Sequence, residues 1–597
     1  MLFDREAIFG VVDFARGEQG AAESADAMVR RAQQLGVATR LHASGAAILG
    51  SVVSRCAAPQ PESSGREQNV WAVSCGELID RKESVSSYLH DPSRSVFLAG
   101  GFAVEGLSFL ERLDGTFAAA IWREDTDQLL LICDRRADCR IFYCGDGDRL
   151  VFSSWLPLLE DRSLEVDRQA VVEFLRFLYI APPRTIFRGV FSVEPGRYLA
   201  ANRGGVKSQR LDCEIAKVRV GQACRPNSEQ LDEFQTLMEQ AVARRLGSRR
   251  TAVFLSSGVD SATIMAACQK INPGQVEAFT IGFDDVELDE TNAARCLTRQ
   301  LDIPHHELKF SLDQYQDAFT QMAADFEQPF GDPAGLPLVL ASKRVAGALE
   351  VITGGTGGDD LFGAPIPRHL WIGVEIGGRI PRPFRRGLAK VFGTPGMGDV
   401  FDFDDVQELF ITWKGWSGRD LHDLLGVAPH FEESGFYQTF RDHQNYGSQA
   451  LYDALGVFPP DDCRFEAAAL AGLPIELPYH DADVTAYVRG LPNSLRTSGG
   501  VTKILLRRLF ARYFPEGQLP EKKRYFNIPL QALMARSHFS LVEDCLSPMC
   551  LKKHGLVDPD RAWRWIRPFI AGDETLRFKV WALLVLHAWL DARRAEG

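Results

Sequence analysis

A chain of 597 residues with 45% hydrophobic and 24% charged side chains has the composition of an ordinary globular protein, and its length calls for two or more domains, each with its own core. The net charge of −12 and an isoelectric point near 5.6 argue against general affinity for nucleic acid. No apolar run approaches the length of a membrane span and the start lacks a basic-then-apolar signal pattern, so the expectation is a cytoplasmic protein with no membrane partner. The 12 cysteines are scattered; Cys133, Cys139 and Cys144 lie closest but without CxxC spacing, which predicts reduced thiols and no zinc site.

The first 200 or so residues carry short β-like runs at Ile8 to Phe14, Val70 to Ser74, Thr116 to Trp122, Gln128 to Cys133 and Leu150 to Ser154. Short strands this dense, separated by turn residues, predict stacked antiparallel sheets. Leu113-Asp114-Gly115-Thr116-Phe117-Ala118 then resembles the LDGxFAF run of class II glutamine amidotransferase (Ntn-hydrolase type) domains, and Cys133-Asp134-Arg135-Arg136-Ala137 resembles their RDRxG segment. Phe152-Ser153-Ser154-Trp155 stands where that family has FASE, and Pro183 to Gly189 with Glu194-Pro195-Gly196 resembles its linker toward a synthetase domain. An amidotransferase-type domain followed by a synthetase domain is the architecture of asparagine synthetase, which the chain resembles in this respect. Glutamine chemistry in that family needs an N-terminal cysteine activated by its own α-amino group. Here Met1 is followed by Leu2, Phe3 and Asp4, and the glutamine-holding NGE reads Cys75-Gly76-Glu77. The HRGPD and SDTE runs are not recognisable, so the expectation is a domain that keeps its scaffold without glutaminase activity.

Residues 201 to 228 read as a boundary, and Ser228 to Arg245 shows helical periodicity with Leu231, Phe234, Leu237, Met238 and Val242 on one face and Ser228 as candidate cap. The domain division expected is 1–205, a 206–228 linker, and 229–597. Thr251 to Leu255 reads as a buried parallel strand, Ser256-Ser257-Gly258 as a turn, and Ala262 to Lys270 as a helix. A strand that feeds a helix through small residues presents free N–H groups to phosphate. In this reading Ser256 and Ser261 add hydroxyls and Asp260 holds a magnesium ion; the alternative is an ordinary βα turn. The run Ser256-Ser257-Gly258-Val259-Asp260-Ser261 resembles the SGGxDS pyrophosphate loop of the ATP-pyrophosphatase superfamily (adenine nucleotide α-hydrolase-like, an α/β parallel-sheet fold), with Ser257 in place of a glycine.

Further signatures follow in order. Val276 to Phe283 resembles the TFSIGF strand whose backbone meets adenine, Asp289-Glu290 and His305-His306-Glu307 fall at the SDE and HHE positions, and Glu327 to Pro333 resembles EPFGDP. The two histidines are expected to be structural. Val351-Ile352-Thr353 leads into Gly354-Gly355-Thr356-Gly357-Gly358-Asp359-Asp360-Leu361-Phe362-Gly363, which resembles SGEGADELFGG. Asp359 is expected across from Asp260, the two carboxylates bridging phosphates through magnesium. Thr356 takes the place of a glutamate, a departure that counts against plain asparagine synthesis. Residues 365 to 450 match poorly, and Arg379, Arg382, Arg385, Arg386 and Lys390 are expected on a solvated helix face. Leu473 to Asp481 resembles GLEVRVPFLD, Lys503 to Arg507 the KxxLR helix, and Leu519 to Phe526 the RxKxxF loop. That last resemblance makes Lys523 the cation for developing charge, with Lys522 the alternative register.

The resemblance implies an ATP- and Mg2+-dependent, AMP-forming ligase. Its nucleotide site would comprise Leu255, Ser256, Ser257, Gly258, Val259, Asp260, Ser261, Thr280, Ile281, Gly282, Gly355, Thr356, Gly357 and Lys503, with Asp260 and Asp359 as metal ligands and Asp260, Asp359 and Lys523 as catalytic residues. Without glutaminase, the attacking amine is expected to belong to the substrate itself. Within the superfamily this pattern is most similar to lasso-peptide macrolactam synthetases (cyclases), which implies a precursor core peptide as substrate and a leader peptidase and leader-binding protein as partners. The other readings are an ammonia-dependent asparagine synthetase, a β-lactam synthetase-like cyclase of a small amino acid, and a catalytically silent scaffold.

Overall fold

Strand β1 (Ala7–Asp13) is apolar almost throughout because both its faces are covered. Ala7, Phe9 and Val11 turn toward helix α1 (Gly17–Gln34), while Ile8 and Val12 turn into the space between two sheets. The computed structural model describes residues 6–53, 64–82, 94–145, 148–159, 164–211, 227–282, 290–363, 379–391, 415–426, 434–435, 462–498, 501–515, 530–535 and 540–595. With β2 (Ala38–Ser44), β3 (Ala47–Val53), β4 (Ser64–Glu67), β5 (Val70–Asp80), β6 (Leu113–Arg123), β7 (Gln128–Cys133), β8 (Phe142–Gly145), β9 (Arg149–Ser153), β10 (Phe191–Ser192), β11 (Arg197–Asn202) and β12 (Gly205–Arg210), it builds two six-stranded antiparallel sheets. Their orders are β10-β8-β9-β1-β3-β2 and β12-β11-β7-β6-β5-β4.

The alternation in β6 shows how the layers form. Ala118, Ala120 and Trp122 enter the core between the sheets, and Phe117, Ala119 and Ile121 face α2 (Arg94–Glu105) and α3 (Leu107–Arg112) on the outside. Stacked antiparallel sheets are the predicted arrangement, and the helical layers outside them are added by the structure; strand ends shift by a residue or so, except that β6 begins at Leu113, three residues early. The larger difference is β5, which continues past Ser74 through Cys75-Gly76-Glu77 to Asp80, each residue paired across to β6. Residues 205–210 lie in the second sheet, paired along β11.

The second half centres on a parallel sheet of β13 (Thr251–Phe254), β14 (Val276–Ile281), β15 (His305–Leu308) and β16 (Val351–Gly354), in the order β15-β14-β13-β16. From β13 the chain goes first to one side and later returns on the other, so the loops after β13 and β16 flank a topological switch point. That is where open α/β sheets take ligands. After α4 (Arg168–Phe177), helices α5 (Ser228–Leu246) and α6 (Val259–Ile271) cover one face of this sheet, and α5 buries Leu231, Phe234, Met238 and Val242 as its periodicity predicts. Its cap is Asn227 rather than Ser228: the Asn227 side chain accepts from Gln230 N at 2.7 Å and Gln230 returns the bond at 3.2 Å, a capping box that places Ser228 inside the first turn.

The basic run falls partly on the helix Arg382–Val391, but Arg385 is only 6% exposed, so that face is not wholly solvated. Of the 365–450 stretch only 379–391, 415–426 and 434–435 are described, and Trp416 packs edge-on to Trp565 with ring centroids 5.1 Å apart. Among the described residues eight cysteines are free thiols. Among the described residues no helix is long and apolar enough to cross a membrane.

The two halves meet through a buried ion network. Arg245, 1% exposed, donates to Asp114 at 2.8 Å and to Glu476 at 3.1 Å, and Asp114 also accepts from Ala482 N at 2.8 Å. The LDG aspartate is thus an anchor between the halves. Arg249 lies 3.6 Å from Glu77, and Arg244 pairs with Asp481 at 2.8 Å. Burial pushes the Glu476 carboxyl up to about 7, against the opposing pull of Arg245. A carboxyl raised in the folded state stabilises fully below its ordinary range and loses that contribution as pH rises through 7. Thermal unfolding midpoints should therefore fall between pH 5 and pH 8, by a contribution on the order of 3 kcal/mol from this group. Glu476→Gln should flatten that slope; an unchanged slope would remove Glu476 as its source.

Candidate active site

The turn after β13 is held by its own hydroxyls. Ser256 N–H donates to Ser261 Oγ at 3.0 Å, the two hydroxyl oxygens are 2.9 Å apart, and Gly258 N–H donates to Ser256 Oγ at 3.2 Å. The predicted phosphate hydroxyls are therefore also the staples that shape the turn. Helix α6 begins at Val259, three residues earlier than predicted, because Gly258 is its N-cap and no side chain caps it. A helix start without a side-chain cap is the kind of end that receives an anion. Ser257, the departure from glycine, donates its hydroxyl to Glu290 Oε1 at 2.9 Å and its N–H to Oε2 at 3.1 Å. Glu290 so pins the loop from behind, while Asp289 lies outside the described residues.

The loop after β16 comes against this turn closely enough to require glycine. A Cβ on Gly355 would lie 2.5 Å from Ser261 N, and one on Gly358 would lie 2.4 Å from Asp260 Oδ1. Gly357 has φ +88, and a Cβ there would meet His480 Cδ2 at 2.7 Å. Gly358→Ala should push Asp260 aside and lower AMP formation about 10²-fold, since a displacement near 1 Å costs that much. Wild-type rates in that variant would refute the close approach.

Asp260 and Asp359 do converge, and what they share is the ammonium of Lys503. Its Nζ is bonded to Asp260 Oδ2 and is 2.7 Å from Asp359 Oδ1. Lys503 is 3% exposed and adopts φ +62, a left-handed conformation uncommon for a residue with a side chain. Burial pushes its pKa down, but the two carboxylates more than offset this and hold it above the usual lysine value. Tyr479, fully buried, donates its hydroxyl to Asp260 O at 3.1 Å.

Of the other predicted positions, Leu255 and Val259 are buried in the loop's flanks and Thr356 is half-buried on the crest. Thr280 is buried with its hydroxyl 2.9 Å from His305 Nε2, and Gly282 N–H donates to Leu308 O at 2.8 Å, so both are engaged within the sheet. His306 pairs with Glu277 at 2.9 Å. Lys522 and Lys523 lie outside the described residues. Sequence reasoning singled out neither Glu290 as the brace of Ser257 nor Tyr479 as the brace of Asp260; the PYHD signature that contains Tyr479 is the signal that could have pointed there.

The residues present fit magnesium. Two hard carboxylate oxygens beside a phosphate-binding turn are the set that ion uses when substrate phosphates and water complete its shell. Among the described residues no group of three or more acidic, cysteine or histidine side chains could hold a metal alone.

A family model described as asparagine synthase matches residues 233–591, and one described as a glutamine amidotransferase domain matches residues 90–211. A Bacillus subtilis glutamine-hydrolyzing asparagine synthetase is 22% identical, over 88% of this chain and 85% of its own. A Mycobacterium tuberculosis protein provisionally named as such an enzyme is 23% identical, over 82% of this chain and 78% of its own. An amidase of Penicillium rubens is 25% identical over 52% of this chain and 51% of its own.

Proposed function

The chain belongs to the asparagine synthase family, and from that membership we propose that it is an AMP-forming ligase that closes an amide within its own substrate, most simply a lasso-peptide macrolactam. The observation that carries the activation half is the convergence of Asp260 and Asp359 on one cation, beside an uncapped helix start. A substrate carboxylate oxygen attacks the α-phosphorus of ATP, the bond to the bridging oxygen breaks, and pyrophosphate leaves. An amine then attacks the acyl carbon, AMP leaves, and the amine's proton is lost to solvent or base. Magnesium, when bound, neutralises phosphate charge and stabilises the leaving pyrophosphate. The turn Ser256 to Ser261 orients those phosphates through its N–H groups, and Glu290 keeps the turn from shifting as charge builds. Lys503 holds both acids in place from below.

The first domain supports an amine that belongs to the substrate. Cys75 stands at the position of the glutamine-holding asparagine, its sulfur buried 3.4 Å from Ser154 Oγ, and Glu77 is drawn to Arg249 of the second half. A glutamine would meet a thiol in place of an amide donor, so ammonia is not made here and the substrate supplies the nucleophile. Its expected partners are then a precursor peptide with the peptidase and leader-binding protein that release its N-terminus. Lys523 is proposed as the cation at the acyl carbon.

AMP release should be followed with Mg-ATP and three substrate sets: aspartate with ammonia, carboxyethylated amino acids, and precursor peptides with their peptidase. AMP formed only with peptide, and a product lighter by one water, supports the macrolactam. AMP formed with aspartate and ammonia would make the chain an ammonia-dependent asparagine synthetase, and AMP formed with the small amino acids a β-lactam synthetase-like cyclase; either would overturn the peptide reading.

A further inference from the structure

The loop of the first domain that follows β7 reaches into the crest of the second. Asp134, 2% exposed, folds this loop on itself: its carboxylate accepts from Arg136 N at 3.1 Å, Asp138 N at 3.0 Å and Cys139 N at 2.7 Å. Ala137 takes φ +54 at its apex, a conformation only an over-determined turn imposes on alanine. Two charged side chains leave this rigid base in the same direction. Arg136 donates to Asp360 Oδ2 at 2.9 Å, with both side chains about one-sixth exposed. Asp138 meets His480 Nδ1 at 2.9 Å, with both side chains 4% exposed.

These two contacts bracket the crest. Asp360 is the residue after Asp359, which bonds Lys503. His480 presses its ring on the α-carbon side of Gly357, and its neighbour Tyr479 holds the Asp260 carbonyl. Burial and the Arg136 charge lower the His480 pKa more than Asp138 raises it, so His480 is neutral and donates Nδ1–H to Asp138. Asp359 therefore stands one residue from a group fixed by the first domain, and Asp260 is held by the chain neighbour of another.

We propose that Arg136 and Asp138 are positioning residues of the synthetase site, and that the amidotransferase-like domain is kept as one wall of that site. The inference rests on the proposed nucleotide-activating role of Asp260 and Asp359. Arg464 is also drawn electrostatically to Asp360, Asp359 and Asp332, so loss of Arg136 leaves partial compensation and a graded effect.

The test uses the full chain with Arg136→Met, Arg136→Lys and Asp138→Asn. One readout needs no substrate: the rate at which an amine-reactive acetylating reagent labels Lys503, followed by peptide mass spectrometry. The other is Mg-ATP binding by calorimetry. Arg136→Met is expected to raise Lys503 labelling and weaken Mg-ATP binding, each about tenfold, with the unfolding midpoint held within about 2 °C. Arg136→Lys should recover most of both, and Asp138→Asn should fall between. Unchanged Lys503 labelling in Arg136→Met overturns the proposal, as does labelling that rises only in step with a fallen midpoint. Wild-type protein that binds no Mg-ATP while the labelling change persists would instead refute the nucleotide reading and leave the positioning role standing.

Discussion

Asp260→Asn is expected to lower AMP formation by roughly 10³-fold, a loss near 4 kcal/mol of transition-state stabilisation. The asparagine keeps the size of the side chain and loses its charge. Lys503, buried and fixed between two acids, then faces Asp359 alone, and a metal ion loses one of its two protein ligands. Asp359→Asn should cost less, about 10²-fold. Its side chain is 43% exposed against 15% for Asp260, so water replaces more of what it supplies. The check is the initial rate of AMP release at saturating Mg-ATP. Near-equal rates in wild type and Asp260→Asn would remove this residue from the chemistry.

Arg245→Met should destabilise the protein by about 3–5 kcal/mol, because removing the cation of a buried ion network leaves Asp114 without its charge partner. Asp114 and Glu476, both almost fully buried, would lose their shared cation at the seam between the halves. Adding Glu476→Gln to Arg245→Met should change little further near neutral pH, since burial already pushes the Glu476 carboxyl up to about 7 against the pull of Arg245 and leaves it protonated once that cation is gone; Asp114 is the stranded charge. Urea unfolding midpoints measure both. A single variant as stable as wild type would show that Arg245 does not hold the seam.

How far these features could be read from the residues depended on whether they are local. The β-like run Thr116 to Trp122 and the apolar face of Ser228 to Arg245 are local signals and were legible, whereas which residues of that strand face which layer came from the structure. The run after β16 was read through its resemblance, with Asp359 across from Asp260; that its glycines are required by close approach came from the structure, which puts Asp260 where a Cβ on Gly358 would otherwise be. What was not legible is long-range. Nothing around Arg136 in sequence says that it meets Asp360, which is 224 positions away. Lys503 was expected near the nucleotide from its resemblance to the KxxLR helix, but its place between both acids follows from packing of the helix Ile504–Tyr513 on α6. The β5 extension was missed because Gly76 and Glu77 look like turn residues until Arg249 is seen to meet the glutamate.

The most direct measurement follows oxygen. Whichever substrate of the panel yields AMP should be prepared with 18O in its carboxylate, and the AMP weighed. Carboxylate attack on the α-phosphorus followed by acyl transfer predicts AMP carrying one 18O from the substrate. Unlabelled AMP with an amide product would contradict acyl-adenylate formation at the Asp260–Asp359 site.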